Sequence, residues 1–186
     1  MLGQVLDGDS WIGEIRRFPT ILHARASLAY DVTTVTLQKS LILSLKRIQE
    51  SRQEIEVSLS DRKGYLEGTV GFKVGIGNDS GFDILDSAVE DKVLRKIIAQ
   101  GPLPILDFGI DMRYRIQSPT RHRVAIDRYL TRFTFGTGKL ELLVHHLQGL
   151  RRLEPGDLVQ LLLSAVNNEL VSRGYQPMEL EESQSD

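Results

Sequence analysis

The sequence predicts an α+β domain, built as a single mostly antiparallel sheet of about six strands with three helices packed on one face. Three observations lead to this class. Several segments alternate apolar and polar residues with period two, and three others repeat apolar residues every three or four positions. The two kinds of segment follow each other in the order βα-ββ-α-βββ-α, so the last three strands are expected to form a meander.

The composition sets the broad class of the protein. The chain has 186 residues, of which 41% are hydrophobic and 26% are charged, and this balance excludes a disordered chain. It contains no cysteine, which excludes disulfides, thiol nucleophiles and zinc–thiolate clusters. We expect a cytoplasmic protein without a membrane span, because polar side chains interrupt the longest apolar stretch, near residues 158–166.

Three parts are predicted along the chain: an N-terminal arm with one short helix over residues 1–20, a single α+β domain over 21–175 and an acidic flexible tail over 176–186. In the arm, Asp9 and Ser10 are placed to cap a helical turn that Pro19 ends. The tail carries four acids and no cation. The arm is expected to dock on the body of the protein or on a second subunit through three apolar side chains, Trp11, Ile15 and Phe18.

The first half of the domain is predicted to contain a strand, a helix and a hairpin. Residues 24–32 alternate with period two, and residues 37–48 carry an apolar stripe at helical spacing. Residues 54–59 and 66–76 alternate again on either side of a turn. Glycines recur in the second strand of this hairpin, where they mark twist, bulges or the close approach of another backbone. The spacing required of a nucleotide-binding glycine loop fails, because Ser80 replaces its third glycine.

A second helix and the clearest strand follow. The helix begins at a capping box formed by Ser87 and Glu90, and Gly101 ends it. Residues 105–116 then show the cleanest alternation in the chain, with the apolar side chains on one face and charged side chains on the other.

The last elements are two strands and a helix. Over residues 122–135 the apolar parity changes midway, and a one-residue bulge near 127–128 would return all the apolar side chains to one face. Residues 140–144 form the last strand. The closing helix has Pro155 in its first turn and Gly174 just past its end.

A segregation of charge is the one functional signal in this sequence. Between residues 113 and 152 there are nine Lys/Arg and two acids, a net charge of +7, whereas the remaining 146 residues hold 14 Lys/Arg and 23 Asp/Glu, a net of −9. With the predicted bulge, arginines of the last strands share one exposed face that could hold the phosphates or carboxylates of a partner. The candidate anion-binding residues are Arg113, Arg115, Arg123, Arg128, Arg132, Arg151, Arg152 and His145.

The same charges can instead be neutralised within the protein. Asp107 and Asp111 share the predicted outer face with the arginines, and Glu154 and Asp157 follow the cations at 151–152. In addition, the aromatic side chains of these strands fall on the core side, whereas a sheet that stacks nucleic acid bases presents them outward. Neutralisation within the sheet is therefore an open alternative to ligand binding.

The sequence assigns no catalytic residue, metal site or cofactor. His145 and His146 are adjacent on a strand, so their side chains point to opposite faces and cannot bind one metal ion. Asp107 and Asp111 are four residues apart, about 13 Å at a rise of about 3.3 Å per residue, which is too far for a pair of catalytic carboxylates. No nucleophile-elbow, zinc-protease or phosphate-loop sequence occurs.

Three functions remain open on the sequence alone. The first is a non-catalytic binding or regulatory module, homodimeric, whose basic face and helix start contact an anionic partner: an acidic protein surface, a nucleic acid backbone or a phosphorylated ligand. The second is an enzyme acting on phosphoesters, in which Arg113, Arg115 and Arg128 would hold phosphate and His145 or His122 would serve as the acid/base. The third is a structural subunit of a larger assembly.

Overall fold

The computed structural model describes residues 12–57, 66–116 and 123–185, with backbone alone for 52–57, 66–69, 115–116 and 123–124. In this part of the chain one antiparallel sheet of eight strands packs against three helices, which confirms the predicted α+β class. The spatial order of the strands is β2-β3-β5-β6-β7-β1-β8, and β4 pairs with the end of β3. As predicted, β5, β6 and β7 form a meander.

The helices are α1 (Thr34–Glu50), α2 (Ser87–Gln100) and α3 (Pro155–Ser172). The strands are β1 (Ala24–Ala29), β2 (Arg52–Val57), β3 (Leu66–Gly77), β4 (Phe82–Ile84), β5 (Ile105–Ile116), β6 (Arg123–Phe135), β7 (Lys139–Gln148) and β8 (Glu179–Ser185).

The core lies between the helices and one face of the sheet, here called the inner face. Leu37, Leu41 and Leu45 of α1 recur at helical spacing and are fully buried against it. On β5, Phe108 and Met112 are also fully buried and come from the strand face predicted to be apolar. The opposite face of the sheet, the outer face, is therefore the one that carries Asp107, Asp111 and Arg113.

The predicted bulge in the long strand is not found, because β5 and β6 pair without a break from Ile105↔Thr134 to Ile116↔Arg123. Ile126 consequently lies on the outer face, 40% exposed, and Asp127 lies on the inner face, fully buried. The bulge is in β7: Arg128 pairs with Gln148 and Tyr129 with His146, so Leu147 is the additional residue. The parity change in the sequence thus reflects a buried carboxylate rather than a bulge in β6.

From residue 12 onward the arm is extended, over part of the segment where the sequence predicted a helical turn. The predicted caps, Asp9 and Ser10, lie outside the described residues. Gly13 bridges Gly77 of β3, and the N–H of Asp107 donates to the carbonyl of Gly13 (2.6 Å). The arm takes this course because β3 and β5 separate beyond Val74, and their unpaired backbone groups need partners. Ile15 is buried against the body of the same chain. Trp11 lies outside the described residues.

The acidic tail contains an ordered strand where the sequence predicted a flexible segment. Glu179–Ser185 pairs antiparallel with β1 and so covers the edge of the sheet. All seven side chains of β8 are exposed, which is why no apolar alternation announced the strand. Its anchor is Met178, 6% exposed, whose backbone N–H and C=O both bond the side-chain amide of Asn167 (2.8 and 3.1 Å).

None of the helices in the described part of the chain is long and apolar enough to cross a membrane.

The anchor of β8 can be tested by Asn167→Ala, which removes both hydrogen bonds to Met178. The free energy of unfolding should fall by about 1–3 kcal/mol, because two buried backbone groups lose their partners. In hydrogen exchange the amides of β8 should lose protection before those of β5. Asn168→Ala is the matched control on the exposed neighbouring position. Equal protection of β8 in the two variants would contradict this role.

Candidate functional site

Two of the outer-face arginines are held in ion pairs by aspartates on the neighbouring strand. Arg128 makes two hydrogen bonds to Asp111 (2.8 and 3.2 Å), which raise the pKa of the guanidinium. Arg132 also makes two hydrogen bonds, to the fully buried Asp107 (2.8 and 2.7 Å). The guanidinium of Arg132 lies 4.7 Å from the ring centre of Phe18. Both cations are therefore neutralised by strand pairing, as the open alternative allowed.

The predicted cations near the start of α3 also have partners. Arg152 bonds Asp127 through both its backbone N–H (2.8 Å) and its side chain (3.4 Å). The guanidinium of Arg151 lies 3.9 Å from Glu154. Asp127 is fully buried on the inner face. The residues at the helix start therefore bind an internal carboxylate and do not form an open surface for anions.

The remaining candidates are scattered. Arg113 is exposed on the outer face, opposite Gly71 and Ile126, and makes no ion pair within the described residues. The side chains of Arg115 and Arg123 lie outside the described part of the chain, as does all of His122. Nδ1 of His145 lies 2.7 Å from the carbonyl oxygen of Ile21 and therefore donates to it. The structure thus brings no cluster of free arginines together among the residues it describes.

A groove on the outer face, which sequence reasoning missed, is the candidate site in the described part of the chain. It encloses about 320 Å³, close to the lower limit for ligand pockets. Apolar side chains form much of it, and two of them are unusually exposed: Ile84 at 49% and Leu147 at 52%. We call it the outer groove, and its main lining residues are Lys73, Phe82, Ile84, Gly109, Asp111, Arg128, Leu130 and Leu147.

Glycines shape this groove by letting one aromatic ring lie flat on the sheet. A Cβ on Gly109 would stand 3.2 Å from the ring of Phe82, and a Cβ on Gly75 would stand 2.9 Å from the Cβ of Phe82. Any side chain at these two positions would push the ring away from the sheet. The prediction that the β3 glycines mark close approach holds at Gly75. Gly109, in the middle of an alternating strand, was the sequence signal that could have located the groove.

The charges of the groove are not balanced. Arg128 and Asp111 neutralise each other, but Lys73 makes no hydrogen bond or ion pair within the described residues. The lining therefore has a net charge of +1, because two cations face one acid. Asp111 lies opposite Lys73 on the neighbouring strand, but its carboxylate is engaged by Arg128. An anionic group entering beside Lys73 would meet a cation with an apolar wall next to it.

The Asp127 carboxylate fixes the loop that borders this groove. Besides Arg152, it accepts the N–H of Leu150 (2.7 Å). The loop is held in uncommon backbone conformations, with φ of +112° at Gly149 and +52° at Arg151. Leu150, 73% exposed, is thereby presented to solvent on an immobilised loop. Burial, followed by the nearby Asp127 charge, raises the pKa of Tyr114 behind this loop.

Histidines meet at the adjoining corner of the sheet. The backbone N–H of His146 donates to Nδ1 of His23 (3.0 Å), whose ring centre lies 5.0 Å from that of His145. The ring of His146 packs 5.1 Å from that of Tyr129 on the inner face, and its Nε2 is buried without a hydrogen-bond partner among the described residues. Burial lowers the pKa of His146, an effect that Asp127 opposes and Arg151 and His145 reinforce.

No group of three or more histidine, aspartate or glutamate side chains is arranged to bind a metal ion among the described residues. Comparison with family models, with curated proteins and with solved structures gives no match to this chain. Functional inference therefore rests on the geometry of the outer groove and its border.

The lowered pKa of His146 predicts a specific sensitivity to acid. The folded state disfavours the charged imidazole. The contribution of His146 to the unfolding free energy is therefore fully present above pH 6.5, the ordinary pKa of histidine, and is lost as the pH falls from there toward the lower pKa of the folded state. His146→Gln should flatten the dependence of the unfolding free energy on pH in this window, measured by urea denaturation. Above about pH 7.5 the two curves should run parallel, because the imidazole is then neutral in both states. Identical slopes below that range would contradict the prediction.

The packing of Gly149 on Asp127 predicts a large effect of a small substitution. In Gly149→Ala the new Cβ would stand 2.6 Å from the carbonyl oxygen of Ile126 and overlap the Asp127 carboxylate, at a positive φ. We expect a loss of more than about 3 kcal/mol of unfolding free energy, or failure to fold. Gly174→Ala is the matched control: its φ is +81° but no atom lies within 4 Å of the added Cβ, so only about 1–2 kcal/mol should be lost. Equal losses would show that the contact with Asp127 does not matter.

Proposed function

We propose that this protein is a non-catalytic binding module that docks an acidic, partly apolar segment of another protein in the outer groove. One observation carries the proposal: the groove combines exposed Ile84 and Leu147 with Lys73, a cation that makes no ion pair within the described residues, since the opposite Asp111 is engaged by Arg128. Exposed apolar side chains next to an unpaired charge are typical of a protein interface. The absence of cysteine supports a reducing compartment such as the cytoplasm.

A protein partner fits the groove better than a nucleic acid or a phosphorylated ligand does. Phosphate backbones are bound by several free cations in a row, but Arg128 and Arg132 are already engaged by aspartates. The ring of Phe82 packs against the sheet at Gly109, which leaves less of its face for stacking with bases. A carboxylate attached to apolar side chains satisfies both parts of the groove.

The other two hypotheses draw less support. A phosphoester-acting enzyme would use Arg113, Arg115 and Arg128 to hold phosphate and His145 or His122 as the acid/base. Of these, Arg128 is engaged by Asp111 and His145 by the carbonyl of Ile21. An assembly role for the arm needed apolar side chains free to bind a partner, whereas Ile15 is buried in its own domain. The expected homodimer stays a prediction that a measurement of mass in solution would test.

The proposal is tested by selecting peptides from a random displayed library on the immobilised protein. The selected sequences should combine Asp or Glu with Leu, Ile or Phe, because the groove pairs a cation with apolar walls. Their affinity should fall at least about tenfold in Ile84→Asp and Leu147→Asp, and severalfold in Lys73→Glu, as measured by fluorescence anisotropy.

Ile98→Asp is the matched control, since Ile98 is 64% exposed but lies on α2, away from the groove. It should leave binding unchanged. The proposal fails if the selected peptides lack acidic residues, or if they bind the groove variants and the control equally well. Affinity that does not weaken between low and physiological salt would also contradict it.

A further inference from the structure

A second hollow adjoins the outer groove on the same face. It lies between the N-terminal arm and the turn that joins β3 to β4, and it encloses about 440 Å³. We call it the arm hollow, and its lining includes Ile15, Arg16, Arg17, Asp79, Ser80 and Phe82. Phe82 lines both the arm hollow and the outer groove. A single chain that crosses Phe82 would therefore contact both.

The two hollows repeat the same arrangement of charge. In the arm hollow Arg16 bonds Asp79 through two nitrogens (3.2 and 2.9 Å), while the exposed Arg17 has no ion pair within the described residues. In the outer groove Arg128 bonds Asp111 through two nitrogens, and Lys73 makes no ion pair within the described residues. Each hollow thus has two cations, one acid and one apolar wall, with a net charge of +1.

These observations deepen the proposed function and rest on it. We propose that the partner is an extended acidic peptide segment that crosses Phe82, with one carboxylate beside Lys73, a second beside Arg17 and an apolar side chain against Ile84 and Leu147. Charge complementarity selects this occupant, because the two hollows share the Phe82 side chain and each contains a cation without an ion pair among the described residues. An extended backbone is the conformation that spaces side chains along such a surface, at about 3.3 Å per residue.

Neither cation belongs to the basic segment 113–152. Lys73 is on β3, and Arg17 is held in place by the arm, whose neighbouring Arg16 and Ile15 are fixed to the turn and the core. The arm therefore contributes a wall of the proposed binding surface in addition to filling the gap between β3 and β5. This assigns a role to the arm that does not require it to contact a second subunit.

The proposal is tested with labelled synthetic peptides that carry two glutamates separated by a variable number of residues around one leucine. At the best spacing, Arg17→Glu and Lys73→Glu should each weaken binding by roughly three- to tenfold. If the peptide glutamate that lies beside Lys73 is replaced by glutamine, Lys73→Glu should no longer change the affinity, whereas Arg17→Glu should still weaken it. If the same glutamate is replaced by lysine, binding to Lys73→Glu should be restored, because the two charges are again opposite.

Arg95→Glu, the same charge change on the exposed side of α2, is the control and should have no effect. If Lys73→Glu weakens binding while Arg17→Glu behaves like the control, the two-site inference is overturned and the proposed function stands. If neither variant differs from the control, both are overturned. Tighter binding of glutarate or of a single-stranded oligonucleotide than of the peptides would overturn the assignment to a protein segment.

Discussion

The buried carboxylate of Asp127 determines the geometry at the end of the sheet where β6, β7 and α3 meet. A charged group at this depth is stable only if hydrogen bonds replace its water, and the backbone N–H groups of Leu150 and Arg152 together with the Arg152 side chain supply them. To bring those donors inward the chain must turn sharply after β7, which requires the positive φ of Gly149 and Arg151. The bulge residue Leu147 and the exposed Leu150 belong to the same short segment that makes this turn.

The outer face depends on a different constraint, the close packing of one ring on glycines. Because Gly75 and Gly109 lack side chains, β4 can bring Phe82 down onto the sheet and form a wall between two hollows. The neighbouring aspartates then decide which cations remain available. Asp111 and Asp79 each neutralise one arginine, so that, among the described lining residues, each hollow keeps one cation without an ion pair. Shape and charge at this surface therefore come from different residues and can be altered independently.

The sequence predicted the fold better than the site, for a physical reason that particular residues show. Helices α1 and α3 and strand β5 bury side chains with a regular period, so that their pattern is visible in the chain itself. Strand β8 buries none of its side chains and is held by backbone pairing to β1, which leaves no periodic signal. Asp127 produces a false signal instead of a missing one. As a polar residue in the core it interrupts the apolar alternation of β6, and the sequence pattern therefore predicts a bulge that β6 does not contain. The outer groove depends on Gly109 and Phe82 meeting across the sheet. Gly109 signals a close approach on β5, but no local pattern identifies Phe82 as the side chain that meets it.

The charge split of the sequence illustrates the same difference between linear and spatial proximity. Counting residues 113–152 alone gives a net charge of +7, but the acids that neutralise Arg128 and Arg132 are Asp111 and Asp107, which precede that segment. In an antiparallel meander residues face partners on the neighbouring strand, here 17 and 25 positions away for the two ion pairs. A window that begins between the partners therefore separates charges that the sheet pairs. The cations left uncompensated in the two hollows, Lys73 and Arg17, come from outside the basic segment. Which arginines of β6 are paired with an acid is therefore set by the register of β5 on β6 rather than by the local density of arginine.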